Sequence, residues 1–396
     1  MTFQPGPPTP GHLQPPSSPV AQPGGRLWTP PHRPEPRTST VVLTIVGLVL
    51  LAQLLFWVLA YIASAIGLAS LIGCGILALV PLTIVLLAVR WIDRWDPEPV
   101  AARWFAFLWG AAAAVSIALL VDLGAQIVDA VSGTAPASEF FSSVVRAPMV
   151  EESAKGLGVL LIFFVARRSF DGPVDGIVYA ATVAGGFAFI ENITYFGSAL
   201  IDTGGSGLAA TFVLRGLLSP FAHVMFTSCT GFALGLAARR PGVLRAITFF
   251  VCGLVPAILL HGLWNSAAYI AASFLGYYLV VQVPLFVIAI GFVVGLRRRE
   301  RTLAFQRLSD YARAGWFGPD EVRMLATSAG RRGARAWARG KPGATAIMKR
   351  FVQDAMRLAW VRQRIIAGNR VEQARADEAA LLASVTAERA ALVALG

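Results

Sequence analysis

Residues 41–62 read VVLTIVGLVLLAQLLFWVLAYI, twenty-two residues without a charged side chain. A helix rises ~1.5 Å per residue, so ~20 apolar residues cover a ~30 Å hydrocarbon core, and this stretch is long enough to cross one. Seven further apolar runs follow, at 68–89, 105–127, 144–166, 174–198, 209–237, 246–271 and 277–296. Together they predict an all-α polytopic membrane protein with about eight transmembrane helices. The composition agrees. Of 396 residues, 56% are hydrophobic and 14% charged, and the mean hydropathy is +0.64. Soluble globular chains carry about 25% charged residues, so an ordinary soluble enzyme and a disordered chain are both excluded.

The charges that remain orient the spans. Arg26, Arg33 and Arg37 precede the first run, and Arg90, Arg94 and Arg103 lie between the second and third. Arg167 and Arg168 follow the fourth, Arg239, Arg240 and Arg245 the sixth, and Arg297, Arg298 and Arg299 the eighth. The alternate loops, near 63–67, 128–143, 199–208 and 272–276, hold no Lys or Arg. Every basic loop falls on one side, which the positive-inside rule makes cytoplasmic, with both termini on that side.

Three regions are expected. Residues 1–38 hold half of the 24 prolines and read as a disordered, cytosolic Pro-rich tail. Residues 39–296 form the membrane body. Residues 297–396 carry 20 Lys and Arg against 9 Asp and Glu, a net +11 of the chain's +12. Their helical spacing, over about 301–315, 319–339, 343–367 and 371–394, predicts a small basic cytosolic helical domain whose basic face rests on anionic lipid. No motif supports nucleic acid as a partner, and none is expected. Cys74, Cys229 and Cys252 lie in apolar runs with no CxxC pair, so neither a disulfide framework nor a zinc knuckle is predicted. Arg outnumbers Lys 31 to 3, a bias that suggests a GC-rich bacterial genome, and a bacterial inner membrane is the expected location.

Charged side chains at bilayer depth cost roughly 2.5–3.5 kcal/mol each, and four unpaired ones would cost on the order of 10 kcal/mol. The fourth run holds Glu151, Glu152 and Lys155, and the fifth Glu191 beside Asn192. The sixth holds Arg215 and His223, and the seventh His261 and Asn265. At ~1.5 Å per residue, Glu152, Glu191 and His261 lie about 10–15 Å below the outer ends of their spans, and His223 about 20 Å, less if the helix breaks before Pro220. Glu151 and Lys155 are four apart and pair on one face, which leaves Glu152 free. His261 and Asn265 share a face in the same way, as do His223 and Thr227. Phe187, four before Glu191, walls that carboxylate. Asp122, Asp129 and Arg215 read as interfacial or structural.

Two imidazoles and a carboxylate are the ligand set of a hydrolytic zinc site with an open position for water. His223, His261 and Glu191 fit those roles. Glu152, or next Glu151, takes the proton from water, and Lys155 holds Glu151 ionised. A metal-free version, with Glu152 and a histidine activating water and Asn265 stabilising the oxyanion, fits equally. There is neither an HExxH nor a GxGD motif, and Gly204-Gly-Ser-Gly reads as a turn. A proton-coupled transporter would also use buried Glu and His, but the chain shows no internal repeat.

Glu151-Glu-Ser-Ala-Lys155, Phe187-Ala-Phe-Ile-Glu191-Asn192, His223-Val-Met-Phe-Thr227 and His261-Gly-Leu-Trp-Asn265 lie in that order on successive spans. This ordered set, with Asp171-Gly-Pro-Val-Asp175-Gly ahead of it, resembles the PrsW family of intramembrane proteases over roughly residues 40–296. The resemblance implies a bundle of about eight spans that hydrolyses peptide bonds of membrane-protein substrates, metal-dependent or glutamate-dependent. It further implies substrates such as membrane-bound anti-sigma factors. The wider superfamily includes a non-catalytic scaffold, so a scaffold remains the other alternative.

Overall fold

The computed structural model describes residues 38–95, 97–133, 135–167, 170–238, 242–271, 273–368 and 371–395. The Pro-rich tail with Arg26, Arg33 and Arg37 lies outside these residues, as do Arg168, Arg239 and Arg240. The chain divides between Leu296 and Arg297 into two compact units. The protein is an all-α polytopic membrane protein, and no strand occurs among the described residues.

In the apolar unit, α1 (Thr38–Ile66) and α2 (Leu68–Ile92) are joined at Gly67. Next come α3 (Val100–Leu108), a π-helical turn at Trp109–Ala114 and α4 (Val115–Ser132). A second π-helical turn, Phe141–Arg146, leads into α5 (Ala147–Val165). α6 (Pro173–Thr211) bends at Gly204 and ends in a third π-helical turn, Phe212–Leu218. α7 (Ala222–Ala238), α8 (Val243–Ile270), the short α9 (Phe274–Tyr277) and α10 (Val283–Arg313) complete the run.

Among the described residues, six stretches are long and apolar enough to cross a membrane. One of them, Pro173–Ala238, contains both α6 and α7. α5 is not among the six, because Glu151, Glu152 and Lys155 fall within its 19 residues. The sixth run differs most from its sequence reading. Its helix starts at Ala222 rather than near 209, since Pro220 has no N–H to donate and the preceding residues continue α6 into the π-helical turn.

α6 is the central element. Every residue from Pro173 to Phe187 is buried, as expected of a helix apolar on all faces. Pro173 at its first position and the Asp175 carboxylate, which accepts the Asp171 and Gly172 N–H groups at 3.0 and 2.8 Å, set its start. α7 packs on it through small residues. A Cβ on Gly176 would lie 1.9 Å from the Gly231 carbonyl oxygen, so the two backbones touch only because both positions lack a side chain.

The second unit contains the part of α10 from Arg297 onward, α11 (Pro319–Ala326), α12 (Ser328–Arg339), α13 (Ala344–Ile366) and α14 (Val371–Ala394). Leu308, Tyr311, Phe317, Leu325, Phe351 and Leu358 lie in its own apolar core.

Candidate active site

Four helices and one π-helical turn converge on a cluster of ionisable side chains. α5 contributes Glu151, Glu152 and Lys155, and α6 contributes Glu191 and Asn192. The turn at Phe212–Leu218 contributes Arg215, α7 contributes His223 and Thr227, and α8 contributes His261. Trp109, on the first π-helical turn, pins α5 by donating its Nε1–H to the Ala154 carbonyl at 2.9 Å.

Glu152 and Lys155 have no exposed side-chain surface. Lys155 Nζ lies 2.6 Å from Glu152 Oε1 but 3.5 Å from Glu151 Oε2. Glu152 is therefore not free, contrary to the reading from helical spacing. Positions three apart are also neighbours on a helix, and the fully buried carboxylate has the greater need of a counter-charge. His261 Nδ1, at 3.0 Å, also bonds Glu152 Oε1, and the Thr227 hydroxyl donates to Oε2 at 2.8 Å.

Glu191, expected as a metal ligand with His223 and His261, is held by two close partners. Its Oε2 lies 2.6 Å from His223 Nε2 and 2.6 Å from Arg215 Nη2. Arg215 further donates Nε–H to Asn192 Oδ1 at 3.1 Å, and its guanidinium carbon lies 3.9 Å from the centre of the Tyr195 ring. Sequence reading set Arg215 aside as structural. The signal that it belongs here was its position in an apolar run, where an arginine must find a carboxylate. Which carboxylate depends on the bend at Gly204 and on the π-helical turn, and neither is written in hydropathy. Asn265 donates Nδ2–H to the Ser143 carbonyl at 2.7 Å, so it ties α8 to the turn before α5 rather than bonding the cluster. The shifted hydrogen-bond ladder of that turn leaves carbonyls to be satisfied from outside. Asp122 pairs with Arg146 at 2.8 Å and takes no part in the cluster.

The imidazole tautomers follow from their neighbours. A carboxylate only accepts and an ammonium only donates. His261 therefore carries its proton on Nδ1, toward Glu152, and leaves Nε2 as an acceptor 3.9 Å from Glu151 Oε2. His223 carries its proton on Nε2, toward Glu191, and leaves Nδ1 as an acceptor 3.2 Å from Lys155 Nζ. The two rings meet edge to face with centroids 5.1 Å apart, and the Phe226 ring stacks on His261 at 5.0 Å. Phe187 lies against Lys155, with Nζ 4.2 Å from its centroid. Glu151, His223 and His261 each offer one ligand atom, all within 4.8 Å of one another. Glu151, Arg215 and Glu191 keep the most exposed side chains of the cluster, 14%, 16% and 18%, and form its open side.

Residues 98–289, which include the whole cluster, match the model of the PrsW family intramembrane metalloproteases. A protein named Protease PrsW from Geobacillus kaustophilus is 31% identical over 189 residues, covering 47% of this chain and 75% of that protein. The chain belongs to the PrsW family. It is accordingly an intramembrane protease. Protease PrsW of Clostridioides difficile is 30% identical over 191 residues, 48% of this chain and 76% of that protein. Protease PrsW of Bacillus subtilis is 37% identical over 126 residues, 32% of this chain and 53% of that protein. No solved structure matches the chain. The PrsW match covers none of α1, α2 or the second unit.

Proposed function

We propose that this PrsW-family protease hydrolyses a peptide bond of single-span membrane proteins with water activated by Glu151, at a site that takes zinc through Glu151, His223 and His261. The observation that carries the reading is the pairing of each histidine with its own carboxylate, His261 with Glu152 and His223 with Glu191. Metal-ligating histidines are held in this way, with the outer nitrogen donating to a carboxylate. Glu151, His223 and His261 offer the mixed nitrogen and oxygen donor set that zinc accepts, with His223 Nδ1 exchanging its 3.2 Å contact with Lys155 for the ion. A divalent ion bound there would supply Lewis acidity to the scissile carbonyl.

The remaining steps belong to the side chains. Of the three carboxylates, Glu151 alone has no ionic contact shorter than 3.5 Å, and it lies on the open side. Its Oε2 faces Lys155 and His261, which leaves Oε1 to take a proton from the attacking water and return it to the leaving amine. Glu152 and Glu191 are positioning residues that fix the two imidazoles. Arg215 holds Glu191, and Lys155 offsets the negative charge of the carboxylates. The arginine-bearing loops favour cytoplasmic termini in a bacterial inner membrane, and the family resemblance favours a membrane-bound anti-sigma factor as substrate.

The test is cleavage of a co-expressed single-span substrate together with metal analysis of the purified protein. Glu151→Ala should abolish cleavage without loss of insertion. His223→Ala with His261→Ala should lose both cleavage and bound zinc. Wild-type cleavage by Glu151→Ala would end the assignment of the base. Equal, negligible zinc in wild type and the double histidine variant would end the metal assignment.

A further inference from the structure

The second unit carries an unbalanced helix face. From residue 322 to 353 the chain has no Asp or Glu but eight Lys and Arg, a stretch that spans α12 and the first part of α13. Elsewhere in the unit the acids already have partners. All eight Asp and Glu between residues 301 and 395 are in ion pairs with arginine, such as Asp310 with Arg307 and Arg313 and Glu321 with Arg389. No acid remains for α12.

On α12 itself, Ala334 and Ala338 are buried, and the buried Arg331 donates its Nε–H to the Leu325 carbonyl. Arg332, Arg335 and Arg339 are exposed along one flank at spacings of three and four, and among the described residues they take part in no ion pair. Like charges at this spacing repel, so the helix carries a cost that an anionic partner would relieve. Trp337, 40% exposed, lies on the opposite flank. The Lys341 ammonium is 5.0 Å from its ring centre. Between the flanks the exposed positions are Ala329, Gly333 and Ala336, so the face is shallow and a flat surface reaches both edges.

We propose that this face of α12 docks on anionic phospholipid headgroups. Unpaired arginines meet the phosphates, and Trp337 enters the interfacial layer that tryptophan favours. The choice of a bilayer over a nucleic acid or an acidic protein rests on connectivity. The unit begins at Arg297, directly after the apolar stretch of α10, so a membrane is present at high effective concentration without any encounter step. Each basic residue near such a surface strengthens adsorption roughly fivefold, so three together are worth about a hundredfold.

The full chain is placed in nanodiscs of phosphatidylcholine alone or of phosphatidylcholine with phosphatidylglycerol, each with brominated acyl chains. Trp337 quenching is read as the difference between wild type and Trp337→Phe. Quenching is expected with phosphatidylglycerol, should fall as salt is raised, and should be lost in Arg332→Gln, Arg335→Gln, Arg339→Gln combined. The triple variant should show no loss in unfolding midpoint and keep cleavage of a single-span substrate, so the result stands apart from the protease assignment. Equal quenching in both disc types, or in the triple variant, would overturn the proposal. So would a single-stranded oligonucleotide that displaces Trp337 from the anionic discs.

Discussion

A buried carboxylate in an apolar body persists only with partners, and Glu152 has three, Lys155, His261 and Thr227. Removing one side of a buried pair costs about 3–5 kcal/mol. Lys155→Met and Glu152→Gln should therefore each lower the unfolding midpoint in detergent sharply, whereas the two combined, which leave neither charge of the pair without its partner, should lower it by less than the sum. At Arg215 the expected effect is on chemistry. Arg215→Ala frees Glu191 and loosens His223, and loss of such outer support reduces activity or metal affinity about 10- to 100-fold. Cleavage assays and zinc retention should show that loss, with partial recovery in Arg215→Lys. Helical periodicity brought Glu151, Glu152 and Lys155 to one stretch of α5. It did not distinguish pairing at three from pairing at four residues, because burial decides between them.

Contacts between elements are set by backbone approach. α7 carries His223, and α7 meets α6 where Gly176 and Gly231 lie against each other. Gly176→Val should force the helices apart, destabilise the fold by about 1–3 kcal/mol and move His223 away from Glu191. Thermal unfolding and substrate cleavage should fall together. The segment after α2 reports on pH. Asp93 is buried there, bonded to the Glu98 N–H at 3.0 Å and paired with Arg103 at 2.9 Å. Burial outweighs both contacts and pushes its carboxyl up to about 6 from 3.8. The folded state then holds the proton more tightly than the unfolded chain, so stability should fall as pH rises from about 4 through about 6 and level off above. Unfolding midpoints measured across that range should show the slope in wild type and a flatter line in Asp93→Asn. The apolar runs themselves were legible from composition. The start of α7 and the three π-helical turns around the site were not, because turns of this kind arise from packing against neighbouring helices.

Over the whole molecule, charge is distributed by environment. The apolar unit is nearly neutral, and Glu151, Glu152, Lys155, Glu191 and Arg215 gather at one cluster, since each would otherwise cost free energy in lipid. The second unit is basic, with its acids paired and α12 left unmatched. Removal of divalent metal by a chelator should lower cleavage by the purified chain and leave its helical content unchanged, because Glu152 with Lys155 and Glu191 with Arg215 neutralise each other directly. Circular dichroism beside a cleavage assay would check both.

Length and polarity in the sequence alone determined that this chain is a helical membrane protein, for any run of about 20 apolar residues must satisfy its backbone within a helix. The order of four short motifs was enough to indicate an intramembrane protease. Only the tertiary structure decided which carboxylate serves which base. Glu152 turned inward to Lys155 and His261, Glu191 met His223 and Arg215, and Glu151 remained on the open side. Apart from Glu152 with Lys155, such pairings join residues 24 to 109 positions apart. They depend on how closely helices approach and on how a bend such as Gly204 turns the chain, and hydropathy carries no record of either.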